Sequence, residues 1–285
     1  MIKKQAEKKM LSSNSYGAMV TFDFFNERLK VDDYFGDCNR LALDLLKSAK
    51  EEKLNKIIVK TKQKHLPIWK KHFFHIEGVI SNYFHGVDAY FVCHYLDENR
   101  MTSTSQFQQE QLLKEINEKS IMDASPLLDP SFHLREANED DINSLVSLYQ
   151  TVFKVYPTPL SNKQYLLESM RNGTFYYIVE KDNQIVSAAS AEVNEQYHNA
   201  EITDCATLAH YRKHRLMRYI LINIEKELMD KNIFCSYSIA RASSFGMNAV
   251  LKQLGYQFGG VLYNNCFIYE DIENMSIWYK DLSSL

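Results

Sequence analysis

NAEITDCATLAHYRKHRLMRYILINIEKELM, residues 199–229, divides into three parts of different chemistry. Ala200 to Leu208 is an extended run rich in Ala, Ile and Thr that carries two acids, Glu201 and Asp204. A basic turn, Tyr211-Arg212-Lys213-His214-Arg215, follows it. Leu216, Ile220, Leu221, Ile224 and Leu228 then recur at spacings of three and four, which predicts an amphipathic helix with the basic turn at its N-terminus. The first N–H groups of a helix have no internal partner and its dipole is positive at that end. Strand, cationic turn and helix together therefore predict an anion site suited to a phosphate or pyrophosphate.

The C-terminal third carries an ordered series. It runs Ala240-Arg241-Ala242, Ser244, Gly246-Met247-Asn248, Leu254-Gly255-Tyr256, Gly259-Gly260 and Asn264-Asn265-Cys266, and closes with Asn274-Met275-Ser276-Ile277-Trp278-Tyr279-Lys280. With the strand and turn before it, this series resembles the GNAT superfamily of N-acetyltransferases, and within it the β-lysine N6-acetyltransferases, which make Nε-acetyl-β-lysine as a compatible solute. The resemblance covers roughly residues 130 to 285 and is weaker before that. In the superfamily the pyrophosphate loop reads Q/R-x-x-G-x-G/A; here the frame is Arg212-Lys213-His214-Arg215-Leu216-Met217. Arg215 thus stands where the family has a glycine, and Met217 where it has a second small residue.

Composition sets the outer bounds. The 285 residues are 45% hydrophobic and 24% charged, ordinary for a globular protein of one large or two modest domains. A net charge of −3 excludes a partner held by neutralising many phosphates, so a nucleic acid is not expected and a small metabolite is. The five cysteines are scattered, without a CxxC pair, and read as reduced core thiols. The nine histidines show no H-E-x-x-H spacing, so no metal is expected. The charged leader MIKKQAEKKM lacks the apolar core of a signal peptide, and no run approaches the ~20 apolar residues of a membrane span. The expected location is the cytoplasm, and the sequence leaves monomer and homodimer open.

The chain divides into residues 1–125 and 126–285, with Asp123 to Pro130 as the linker because Pro126 and Pro130 punctuate it. Residues 1 to about 14 read as a frayed leader, followed by a hairpin within Tyr16 to Val31, a helix at 38–50, a strand at 56–61, a helix at 66–74 with Pro67 in its first turn, and strands at 77–82 and 89–95. That order matches helix 216–230, strand 233–239, helix 244–254, the step Gly260-Val261-Leu262 and strand 265–269. The first domain is accordingly expected to be a degenerate repeat of half an acetyltransferase fold, without its cofactor loop. The second domain reads β-α-α-β-β-β-α-β-α-β-β. The fold class is α/β with a mixed sheet, splayed beside the central strand as the resemblance implies.

Acetyl transfer to an amine needs a neutral nitrogen, since an alkylammonium near its usual pKa of about 10.4 has no free lone pair at pH 7. The resemblance implies an acidic base on the central strands, a backbone N–H that polarises the thioester carbonyl, and acetyl-CoA as donor. Asp204 and Glu201 are the candidate bases, Asp204 preferred for its apolar flanks and its place nearer the turn, with Glu192 on the neighbouring strand as a third. On a regular strand Glu201 and Asp204 face opposite ways. The family's proton-donating tyrosine falls at Leu251, leaving Tyr237, Tyr256 and Tyr263 as substitutes. For the cofactor, the backbone of Cys205, Ala206, Thr207 and Leu208 is expected along the pantetheine arm, and Arg212, Lys213, His214, Arg215, Leu216 and Met217 at the pyrophosphate. Ser244 and Asn248 stand beside the arm. Two functions stay open: an acetyl-CoA-dependent N-acetyltransferase acting on the side-chain amine of a small diamino acid, or an inactive CoA-binding or assembly module, which Arg215 and Leu251 favour.

Overall fold

A computed structural model describes residues 6–121, 127–154, 156–268 and 271–284. Its strands form one mixed sheet of 13 in the order β1-β2-β3-β4-β6-β5-β12-β13-β11-β10-β9-β8-β7. The first part of the chain supplies β1 (Glu7–Ser12), β2 (Tyr16–Asp23), β3 (Arg28–Gly36), α1 (Cys38–Glu51), β4 (Lys56–Thr61), α2 (Leu66–Lys71), β5 (His75–Ile80) and β6 (Ala89–Tyr95), then the connecting helix α3 (Gln106–Asn117). The second supplies β7 (His133–Glu136), α4 (Ile142–Val152), α5 (Lys163–Arg171), β8 (Phe175–Lys181), β9 (Gln184–Asn194), β10 (Asn199–Thr207), α6 (Leu216–Asp230), β11 (Cys235–Arg241), α7 (Phe245–Gln253), β12 (Gln257–Ile268) and β13 (Asp271–Asp281). That second order is the one the sequence predicts.

The periodicities explain the layers. Leu216, Ile220, Leu221, Ile224 and Leu228 bury one face of α6 against β8, β9 and β10, each side chain contributing roughly 1.5–3 kcal/mol. α7 and the end of α3 join the same core through Leu251 and Ile116, while α4 and α5 cover the other face of β8–β10 with Leu145, Leu148 and Leu166. Asp182 and Asn183, both at positive φ, make the tight turn between β8 and β9.

Pairing recurs in the two parts. β3 runs parallel to β4 and β10 parallel to β11; β6 lies antiparallel between β4 and β5, and β13 between β11 and β12. The parts join where β5 meets β12 at Gly78 opposite Gly260. Glycine is required there: a Cβ on Gly259 or Gly260 would run into the carbonyl oxygens of Val79 or Glu77. The junction also holds a buried Lys56–Glu77 ion pair at 2.8 Å and the Arg100 guanidinium, which donates to the carbonyls of Asn264, Glu27 and Asn26.

Two expectations change. Glu7–Ser12 is not a frayed leader but an edge strand, held to β2 by backbone pairing that its charged side chains conceal. The stretch from residue 265 is the end of β12, so the strand answering β6 is β13. The 125/126 boundary and most of the linker before Pro130 lie outside the described residues.

Candidate active site

β10 and β11 pair at only three positions, ending at Glu201 opposite Tyr237, and then part. Beyond Glu201 the β10 edge that faces β11 carries no paired strand among the described residues, which leaves backbone groups able to pair with an extended ligand. At the apex of this splay is a cavity of about 240 Å³, small beside the usual pockets for drug-sized ligands.

Strand β10 is not regular. Thr203 pairs Ser190 and Ala206 pairs Ala188, so an extra residue is accommodated in a bulge, with Asp204 at φ 53°. The expectation that Glu201 and Asp204 face opposite ways fails for this reason. The bulge turns Asp204 to the face of Glu201 and Thr203, where Ser190 Oγ donates to its Oδ2 at 2.9 Å.

The two acids nevertheless sit differently. Glu201 lines the cavity with Glu192, its partner across β9–β10. Burial raises the Glu201 carboxyl to about 7; the Glu192 charge adds to this, while Lys60, Lys30 and the Tyr237 hydroxyl favour its charged form. Asp204 lies behind the wall, 3% exposed, and is likewise raised to about 7, first by burial and then by Glu192. Of the three candidate tyrosines, Tyr237 lines the cavity, Tyr256 hydrogen-bonds Ser236 Oγ at 2.7 Å on the α6 face, and Tyr263 lies at the junction near Glu77.

Several lining residues escape the sequence reading. Tyr156 and Thr158, from the loop after α4, close one side. Burial raises the Tyr156 hydroxyl, and the Asp204 charge adds to the effect. The opposite wall comes from the first part of the chain: Arg28, Lys30 and Asp32 on β3 and Ile58 and Lys60 on β4. Alternating charges on a strand read as a solvent face, so nothing local marks them. Asn265, by contrast a member of the C-terminal series that the sequence marks, also lines the cavity, its Oδ1 without a partner among the described residues.

At the cofactor end, a 3₁₀ turn over Ala209–His214 leads to Arg215 at φ 57°, a left-handed conformation that glycine adopts freely, and then to α6. Arg212, Lys213, His214 and Arg215 are exposed around the helix start; Leu216 is buried and Met217 half-buried. No side chain caps α6. By contrast, Asp37 occupies the start of α1, accepting from the N–H groups of Asn39 and Arg40. One start is open to an anion and the other is filled. In the first turn of α6, Arg218 is 3% exposed and donates to Gln253 Oε1 at 3.1 Å, with Nε and Nη1 unpartnered among the described residues. Such a buried orphan calls for an anionic partner, so the residues present fit a phosphate-bearing cofactor.

Cys205, Ala206, Thr207 and Leu208 border the open edge and the turn. Ser244 is the N-cap residue of α7, its hydroxyl not used in capping. Asn248 is committed internally: its Nδ2 donates to the carbonyls of Arg241 and Ser244, and its Oδ1 accepts from Trp278 Nε1 at 2.7 Å. No helix among the described residues is long and apolar enough to cross a membrane.

Known proteins match this chain in sequence. The family model for the acetyltransferase (GNAT) domain matches residues 133–259. The chain is 41% identical to the N-acetyltransferase YodP of Bacillus subtilis over 96% of its own length and 99% of that protein. It is 32% identical to the beta-lysine N(6)-acetyltransferase of Methanococcus maripaludis (92% and 96% covered) and 34% to that of Methanosarcina mazei (88% and 100% covered). Identity of this extent over whole chains, together with the splayed sheet and the open helix start, places the protein among the GNAT N-acetyltransferases, the family to which it belongs.

Proposed function

We propose that the protein transfers an acetyl group from acetyl-CoA to the side-chain amine of a small diamino acid, β-lysine first among them. The carrying observation is a carboxyl held near pH 7, Glu201, at the apex of the splay inside a cavity of metabolite size. Two relatives named for β-lysine acetylation over nearly the whole chain support the choice of substrate.

When bound, acetyl-CoA supplies the activated acyl group. The open edge of β10 would align its arm, and Arg218, Arg212 and Arg215 at the start of α6 would meet its phosphates. Glu201 takes the proton from the ammonium, a role for which a pKa near the working pH is suited. Burial and the Glu192 charge hold that pKa up, and Asp204 is placed by Ser190 rather than by substrate. Tyr156 and Tyr237, both raised above the ordinary tyrosine value by burial, keep their protons at neutral pH, and either can return one to a departing thiolate. The recurring strand pairing supports reading residues 7–95 as a degenerate repeat that has become a wall of this site.

The test is thiol release from acetyl-CoA with β-lysine, lysine, ornithine and polyamines. Turnover fastest on β-lysine, with the product acetylated at the terminal amine, is expected. No thiol release with any amine would favour an inactive CoA-binding module instead.

A further inference from the structure

The two walls of the cavity come from different parts of the chain, one acidic and the other net basic, with Arg28, Lys30 and Lys60 against Asp32, whose Oδ2 accepts from Thr21 Oγ1 at 2.6 Å. Glu201 and Glu192 face inward from β10 and β9; Lys30 and Lys60 face them from β3 and β4. The four influence one another electrostatically, yet no ion pair within 4 Å joins the walls among the described residues. Lys60 Nζ gives one hydrogen bond, to the Tyr83 hydroxyl at 2.6 Å, which leaves two of its three donors. Lys30 has no hydrogen-bond partner among the described residues. Enclosed ammonium groups with carboxylates such as Asp32 nearby but none in ion-pair contact are expensive to maintain, as is an enclosed amide oxygen without a donor.

We propose that Lys30 and Lys60 bind the carboxylate of the substrate, so that the first part of the chain selects amino acids over simple amines while the second part performs the chemistry. A zwitterion spans the gap: its carboxylate meets the two lysines, and its far amine lies at Glu201. Asn265 adds a third point. Its residue is 5% exposed, and its backbone carbonyl accepts from Arg28, itself fixed by Asp23 at 2.8 Å; the free Oδ1 can therefore accept from an ammonium beside the carboxylate. The pattern of carboxylate, near amine and distant amine is that of a diamino acid.

The inference rests on the substrate class proposed above, and one experiment separates their failures. Steady-state kinetics of the full-length protein are measured with β-lysine and with the diamine that β-lysine becomes on loss of its carboxylate. The unaltered enzyme is expected to prefer β-lysine in kcat/KM. Lys30→Met and Lys60→Met, each made singly, should reduce that preference by about 10- to 100-fold, the range for losing a hydrogen bond to a charged group, and chiefly through KM. Lys30→Arg and Lys60→Arg should reduce it less. An enzyme that prefers the diamine from the outset overturns both the substrate and this inference. An enzyme that prefers β-lysine, with the preference untouched by the Met variants or activity on both substrates reduced alike, overturns this inference alone. Should a Met variant fail to fold, inhibition of the unaltered enzyme by pentanoate decides. Competition with β-lysine but not with acetyl-CoA supports carboxylate binding between the lysines, and no inhibition at concentrations well above the KM for β-lysine overturns it.

Discussion

Two acids three residues apart, both raised to about 7, are separated by what they touch. Glu201 reaches the cavity, so Glu201→Gln is expected to lower kcat by ~10²–10⁴, with the loss shrinking as pH rises and more of the amine is already neutral. A loss of the same size at every pH would remove Glu201 as base. Asp204 reaches Ser190 and solvent hardly at all, so its signature is in stability. Its folded pKa exceeds the ordinary 3.8, so its contribution is fully present below that value and is lost as pH rises through about 7. Asp204→Asn should therefore melt higher relative to the native protein at about pH 8 than at about pH 5. A difference that does not change with pH, measured by thermal unfolding at both, would mean that burial does not hold Asp204 protonated. The types of these residues were legible in the sequence, and their facing was not. A bulge is set by backbone pairing with β9, and alternation cannot report it.

At the scale of elements, the strand–turn–helix at 199–229 was legible because three independent signals coincide there: apolar run, basic cluster and helical spacing. What spacing cannot give is backbone conformation. Arg215 keeps the left-handed turn expected of the family glycine, at a cost of roughly 1–2 kcal/mol. Arg215→Gly removes that strain but adds freedom to the unfolded chain worth about 0.4–1 kcal/mol, so the melting temperature should hold or rise slightly. Acetyl-CoA should nonetheless bind more weakly and with less dependence on salt, since a side-chain charge has gone while the turn is unchanged. Calorimetry at two ionic strengths checks this. Equal affinity and equal salt dependence would assign the phosphates to backbone N–H groups and Arg218.

At the scale of the molecule, the walls of the cavity lie about as far apart in sequence as β3 is from β10, and no local pattern could pair them. The sheet does so by running through the Gly78–Gly260 junction, and the core there is common property: Ile58, Ile80 and Phe91 pack with Tyr237, Leu262 and Ile277. A stable active site then requires both parts to be folded together, which predicts a single cooperative transition. The chain carries its own probes, since its two tryptophans are both fully buried, Trp69 beside β4 with its Nε1 donating to Thr61 and Trp278 on β13 donating to Asn248. In Trp69→Phe the remaining fluorescence reports the second part, and in Trp278→Phe it reports the first. Each fluorescence midpoint is expected to coincide with that of far-ultraviolet circular dichroism in the same variant. Midpoints several degrees apart would mean that the parts unfold separately, and the basic wall could then detach from the site while the acetyltransferase part stays folded.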